Sequence, residues 1–92
     1  MTLPPENGAR FELSRLETSA EGARYEVRVH EASARWSAGT TVGAAALEIQ
    51  WAATPPAWIA STTLLFFKTL QKNHGKDGSW PARLVRWRAE RE

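Results

Sequence analysis

The segment from Pro55 to His74 is the one stretch of this sequence whose apolar spacing requires a long helix. Thr54 precedes two prolines, and proline is tolerated in the first helical turn, where its missing N–H would lack a partner in any case. Asn73, His74 and Gly75 are typical of a helix end, at which glycine can adopt the left-handed conformation. We therefore predict a helix that begins near Pro55 with Thr54 as its cap and ends at His74.

This helix is apolar over most of its circumference. At about 100° per residue, one broad face collects the side chains of Trp58, Ile59, Thr62, Leu65, Phe66, Thr69 and Leu70. A second arc contains Leu64 and Phe67, with Ala60 beside them. Because only a narrow polar strip remains, the helix needs cover on two sides. We expect a sheet against the broad face and the C-terminal segment against the second arc.

The first strand is predicted from residue 10 onward. Phe11 and Leu13 alternate with polar residues at the period of a half-buried strand. Leu16 breaks the alternation, which predicts a bulge or the end of the strand near residues 14 and 15. The polar residues 17–23 are expected to form a hairpin loop longer than the two-residue type.

Two further strands are expected before the helix. Residues 23–31 give the clearest alternation in the chain, whereas residues 32–41 are weakly patterned and are interpreted as the end of that strand and a connection. Residues 40–51 combine good helix formers with an alternating second half, and the alternation favours a third strand. The apolar residues that alternate there are Leu47, Ile49 and Trp51.

Residues 79–90 allow two interpretations. Trp80, Leu84 and Trp87 are spaced as on one helix face, and Pro81 suits a first helical turn, so a short C-terminal helix is expected. The alternative is a fourth strand, with Val85, Trp87 and Ala89 on one side.

Together these segments predict an α+β fold with two layers, in which a three-stranded antiparallel sheet packs on one long helix. Residues 1–8, with a Pro-Pro and an Asn-Gly pair, are expected to be a flexible N-terminal lead-in, and residues 9–92 a single α+β domain. The sequence has no cysteine, no signal-peptide pattern and no apolar run of the ~20 residues that span a bilayer. A cytoplasmic protein without membrane contact is therefore expected.

Charge is distributed unevenly along the chain. Residues 1–52 contain five Arg and seven Glu, whereas residues 53–92 contain seven Lys or Arg and three acidic residues. Clustered cations with interleaved tryptophan favour an anionic partner, either a nucleic acid or an acidic protein. No RNA- or DNA-binding motif accompanies them. The predicted partner-binding residues are Lys72, Lys76, Arg83, Arg86, Trp87, Arg88 and Arg91.

Catalytic chemistry has one candidate location. The polar face of the predicted sheet carries Glu26 and His30, and a histidine beside a carboxylate can act as a general base. A solvated sheet face explains the same pattern. No nucleophile motif or metal-ligand spacing is present, so no catalytic, cofactor-binding or metal-binding residues are predicted. The glycine-containing turn at residues 75–79 has the ingredients of an anion-holding loop but is interpreted as a plain connection.

The expected function is that of a small non-enzymatic binding or accessory module that engages an anionic partner through its basic, tryptophan-containing C-terminal end. One alternative is a small enzyme or ligand-binding protein that uses the Glu26 and His30 face. Another is a homo-oligomerising structural subunit, since open sheet edges and several large aromatic side chains make a homodimer reasonable.

Overall fold

A computed structural model describes residues 8–89, which form one antiparallel sheet of five strands and one helix. The elements are β1 (Gly8–Ser19), β2 (Gly22–Glu31), β3 (Arg35–Val42), β4 (Leu47–Trp51), α1 (Ala57–His74) and β5 (Arg83–Ala89). The strand order in the sheet is β4-β3-β2-β1-β5. The α+β class and the long helix are confirmed, while the prediction of three strands was an undercount. Residues 1–7 of the predicted lead-in lie outside the described residues, and Gly8 belongs to β1.

Two short turns explain why one strand before the helix was missed. The Glu31 N–H donates to the Ala34 carbonyl (2.8 Å) between β2 and β3, and the Gly43 N–H donates to the Ala46 carbonyl (2.8 Å) between β3 and β4. Residues 32–41, expected as the end of the second strand and a connection, therefore contain most of β3. The single strand expected over residues 40–51 is the end of β3, a turn and β4. Alanine dominates both turns, whereas the usual turn signals are Gly, Pro, Asn, Asp and Ser.

The hairpin of β1 and β2 contains the predicted irregularity. Its register shifts between Arg15 and Glu17, so Leu16 is the extra residue, as its broken alternation indicated. The connection is a tight two-residue turn, because Ser19 pairs directly with Gly22. The longer loop expected here was wrong, and the polar side chains of residues 17–19 belong to β1.

The C-terminal segment is a strand. β5 pairs with β1 in an unbroken antiparallel register from Gly8 opposite Ala89 to Ser14 opposite Arg83. The predicted short C-terminal helix was wrong, and the alternative assignment as a strand is correct, although this strand is the fifth. Most of these residues differ in helix propensity by only tenths of a kcal/mol. The main-chain hydrogen bonds that the free edge of β1 offers contribute more free energy than that.

Two side chains hold the chain where it enters β5. The Tyr25 hydroxyl donates to the Pro81 carbonyl (2.5 Å), and an Arg15 Nη1–H donates to the carbonyl of the buried Trp80 (2.6 Å). Burial raises the pKa of Tyr25, and the Arg15 guanidinium acts in the opposite direction. These bonds direct β5 onto the edge of β1.

The helix begins at Ala57 and ends at His74, close to the predicted bounds. Its N-terminal flanking residue is Pro56, and no side chain caps the first turn, so the predicted Thr54 cap was wrong. A capping side chain belongs to the flanking residue itself, which is a proline here, and Thr54 lies two residues before it.

Gly75 does not adopt the left-handed conformation expected of it, since its φ is −63°. Glycine is required there by close packing instead. A Cβ on Gly75 would lie 2.5 Å from the Gln71 carbonyl oxygen and 3.1 Å from the Ala44 Cα. The positive φ in this connection belongs to Gly78, at +69°.

One side of α1 packs on the sheet. The buried helix residues are Ile59, Thr63, Phe67 and Leu70, and the rings of Tyr25 and Phe67 meet edge to face at 5.6 Å. Leu65, placed on the broad buried face by its spacing, is 64% exposed. The prediction that the C-terminal segment packs against the second arc was also wrong. Phe67 contacts the sheet, and Leu64 remains 39% exposed. The cause is that β5 extends the sheet and does not cover the helix.

Substitution of Phe67 by Ala should destabilise the protein by about 3–5 kcal/mol, because it leaves a cavity against Tyr25. Leu65→Ala on the exposed side of the same helix should cost less than about 1 kcal/mol. Urea unfolding followed by circular dichroism measures both values. Equal losses in the two variants would contradict the observed orientation of α1.

Candidate functional site

β5 lies at one end of the sheet, so its outer edge has no neighbouring strand among residues 8–89. In an antiparallel pair, alternate residues direct both main-chain groups toward the partner strand. The Arg15 N–H donates to the Ala82 carbonyl (2.9 Å), which sets this alternation for the β1–β5 ladder. The residues whose main-chain groups then face β1 are Leu84, Arg86 and Arg88. Those whose groups point outward are Arg83, Val85, Trp87 and Ala89.

The side chains of β5 divide between the two faces of the sheet. Leu84 lies opposite Leu13 and packs against the core, which puts Arg86 and Arg88 on the helix-covered side. Trp87 lies opposite Arg10 on the open side and is 47% exposed. The outer edge of the sheet therefore has arginine on one face and an exposed indole on the other.

Arg86 and Arg88 fold back along this edge. The Arg86 Nη1–H donates to the Val85 carbonyl (2.8 Å), and the Arg88 Nη1–H donates to the Trp87 carbonyl (2.7 Å). Both carbonyls belong to residues whose main-chain groups point outward. The guanidinium groups therefore cover acceptors of the edge and leave its N–H donors open, so this edge is electropositive in both its side chains and its main chain.

Aromatic rings position two of the guanidinium groups near β5. The Arg88 guanidinium lies 5.1 Å from the centroid of the Phe66 ring, and the Arg10 guanidinium lies 6.0 Å from that of Trp87. Both distances are within the range of cation–π attraction. Arg10 was not among the predicted site residues. Its place on the polar side of β1 could have identified it only if β5 had been known to pair with β1.

Glu12 connects three strands on the open face. Its carboxylate lies 3.2 Å from Arg10, 3.5 Å from Arg83 and 3.6 Å from His30, and its side chain is 15% exposed. Arg83 therefore ion-pairs with a carboxylate of its own chain, which reduces its availability to a partner. The Nε atom of Arg10 is buried without a hydrogen-bond partner among residues 8–89.

The structure brings together four of the seven predicted partner-binding residues. Arg83, Arg86, Trp87 and Arg88 share β5. Lys72 lies in the last turn of α1, and Lys76 lies in the following connection, which faces the β1–β2 turn beyond the Arg83 end of β5. Arg91 lies outside the described residues. The basic residues that were predicted as one end of the molecule therefore occupy two places.

Glu26 and His30 do not meet. They are four residues apart on β2, which corresponds to about 13 Å. Glu26 pairs with Arg28, and His30 lies beside Glu12. His30 therefore belongs to an ion-pair cluster that includes two arginines, and its carboxylate neighbour differs from the one expected.

A serine, a histidine and an aspartate meet in the connection after α1. The Ser79 hydroxyl donates to Asp77 Oδ1 (2.6 Å) and lies 3.0 Å from Nδ1 of His74. In a nucleophilic triad the histidine stands between the other two residues. Here the serine holds that place, and its main-chain N–H also donates to Asp77, so the group closes a turn.

The hydrogen bond from the Ser79 hydroxyl lowers the pKa of Asp77, with help from the Ser79 N–H. A carboxylate with a lowered pKa stabilises the turn above the ordinary pKa of aspartate and loses that contribution as the pH falls through the lowered value. An NMR titration should therefore give Asp77 a pKa below the ordinary 3.8. In Ser79→Ala the pKa of Asp77 should rise toward 3.8. An unchanged pKa in that variant would show that the Ser79 hydroxyl does not lower it.

Among residues 8–89, no group of three or more His, Asp or Glu side chains is arranged to hold a metal ion. No helix in that same range is long and apolar enough to cross a membrane.

Comparison with known proteins adds no assignment to this geometry. No protein-family model, curated protein or solved structure matches the chain.

Proposed function

We propose that this protein is a non-enzymatic binding module that receives an extended acidic segment of a partner protein along the outer edge of β5. The hydrogen-bonding groups at that outer edge support the proposal. Its outward N–H groups have no partner strand among the described residues, and Arg86 and Arg88 cover the carbonyls between them. An extended peptide that adds to a sheet edge gains affinity from main-chain bonds and specificity from its side chains.

Binding exchanges one set of hydrogen bonds for another. Carbonyl groups of the incoming segment accept from the outward N–H groups of Val85 and Trp87. Its carboxylates attract Arg86 and Arg88, whose guanidinium groups turn away from the edge carbonyls to form charge-assisted bonds. The N–H groups of the segment then donate to those carbonyls. A neutral segment offers the guanidinium groups no carboxylate in return, so an acidic segment is favoured.

The same arginines oppose pairing of β5 with a second β5. An antiparallel pair of two copies would bring six arginines into one ribbon, because each strand contributes Arg83, Arg86 and Arg88. Like charges on adjacent strands destabilise pairing, and charged edge strands are a common defence against self-association. The edge therefore selects a partner of opposite charge.

The other functions predicted from the sequence have less support. A nucleic acid would use the arginines and the exposed Trp87, but phosphates do not need the outward main-chain groups of a strand. An enzyme that uses Glu26 and His30 would need the two residues to act together across about 13 Å of strand. A cytoplasmic location stays a prediction, consistent with the absence of cysteine.

Fluorescence anisotropy can test the proposal with a labelled peptide that matches the seven residues of β5 in length and alternates glutamate with threonine. The peptide should bind, and a lysine–threonine peptide should not. Arg86→Glu/Arg88→Glu should weaken binding about tenfold or more, because two charge-assisted bonds become repulsive. Val85→Pro should also weaken binding, since it removes an outward N–H while the ladder to β1 keeps its bonds.

Lys68→Glu/Lys72→Glu is the matched control, because it makes the same charge change at exposed positions of α1. It should leave peptide binding within about twofold at physiological salt. Equal weakening by both double variants would mean that only net charge matters. Preference for a single-stranded oligonucleotide over the acidic peptide, or no peptide binding at all, would overturn the proposal.

A further inference from the structure

β4 forms the other end of the sheet and differs in character from β5. Hydrogen bonds at both ends of β4 fix which of its residues direct their main-chain groups toward β3. The Gly43 N–H donates to the Ala46 carbonyl (2.8 Å), and the Ala52 N–H donates to the Ser37 carbonyl (2.9 Å). Glu48 and Gln50 therefore direct their main-chain groups toward β3. The residues whose main-chain groups point outward are Leu47, Ile49 and Trp51.

This outward set is symmetric about Ile49. If a second copy approaches antiparallel with Ile49 opposite Ile49, then Leu47 of each copy lies opposite Trp51 of the other. All three pairs are then of the hydrogen-bonded kind, in which the two residues exchange both N–H···O bonds. This register satisfies the N–H and C=O groups of all three outward residues in each copy.

The side chains fit the same register. On the open face, Glu48 of one copy lies opposite Gln50 of the other, so no like charges meet. Within one chain the Gln50 amide already donates to the Glu48 carboxylate (2.5 Å), and an equivalent bond can form across the joint. A charged pair of the kind that opposes β5 self-association is therefore absent from β4.

The helix-covered face adds apolar contact. Leu47, Ile49 and Trp51 are half-buried at the rim of the core. The Gln71 side chain donates to the Gly43 and Ala46 carbonyls, both at 3.0 Å, which shows that this stripe of α1 faces the β3–β4 turn. Leu64 precedes Gln71 by two helical turns on the same stripe and is 39% exposed. Side chains across a strand pair share a face, so the two Leu64 stripes lie on the same side of the joint.

From these features we infer that the protein forms a homodimer through β4, with Ile49 at the two-fold axis and the two sheets joined into one of ten strands. The dimer does not depend on the proposed function, because each β5 stays at an outer end of the joined sheet. The occupant is a second copy of this chain, because the edge is complementary to itself in both hydrogen-bond direction and charge.

Analytical ultracentrifugation should detect a monomer–dimer equilibrium for the full chain. Gln50→Glu should raise the dissociation constant about fivefold or more, because each of two symmetric positions then opposes Glu48 with a like charge. Gln50→Lys should lower it, because the same positions become opposite-charge pairs. Gln50 is exposed, and circular dichroism should show the same fold in both variants.

The register can be tested by crosslinking, because the chain has no cysteine of its own. Residues opposite each other in a hydrogen-bonded pair have Cα atoms about 5.5 Å apart, within the range that a disulfide spans. Ile49→Cys should therefore form a disulfide-linked dimer under mild oxidation, and Thr41→Cys, on β3, should not. A monomer at every concentration would overturn the inference. So would a dimer insensitive to the charge at residue 50 in which Ile49→Cys does not crosslink.

Discussion

The pairing of β1 on both sides determines the strand order of the sheet and the position of its two free edges. β1 is hydrogen-bonded to β2 along one edge and to β5 along the other. Its core-facing side chains Phe11 and Leu13 are fully buried under the helix, and Glu12 on the opposite face contacts residues from both neighbouring strands. Because the chain between β4 and β5 crosses the sheet as α1, β1 becomes an interior strand and the sheet ends in β4 and β5.

These two end strands present opposite solutions to the problem of an exposed edge. β5 covers the outward carbonyls of Val85 and Trp87 with Arg86 and Arg88, so it is charged, disfavours its own copy and is suited to an acidic partner. β4 has a single charged residue, Glu48, and its outward main-chain groups are arranged symmetrically. Since the edges lie on opposite sides of one sheet, binding a partner and forming a dimer need not compete.

Much of the fold could be predicted from local pattern. The helix bounds followed from its prolines, its apolar period and Gly75, and the alternation of β1 and β2 was strong enough to identify both strands and the irregularity at Leu16. The segment that became β5 could not be assigned in this way, because its Ala, Arg and Leu content fits a helix nearly as well. What decided it was the free edge of β1, a tertiary feature absent from the local sequence.

The same reason explains the errors in the candidate site. Clustering of cations in the sequence identified Arg86, Trp87 and Arg88, which do share a strand. It could not separate them from Lys72, nor find Arg10, which approaches Trp87 only because β1 and β5 are paired. The face of α1 was misjudged because a helix with apolar residues on several sides does not specify which side the sheet covers. For that reason Phe67 is buried against the sheet, whereas Leu65, which was expected there, is exposed.

Amide hydrogen exchange along β5 can show whether this segment is a strand with one edge paired to β1 and the other edge open. The N–H groups of Leu84, Arg86 and Arg88 should exchange slowly because they face β1, and those of Arg83, Val85 and Trp87 should exchange quickly. This alternation distinguishes an edge strand from a helix, in which successive amides are protected alike. Uniform protection, or uniform fast exchange, over residues 83–88 would contradict the assignment of β5 as an edge strand paired with β1.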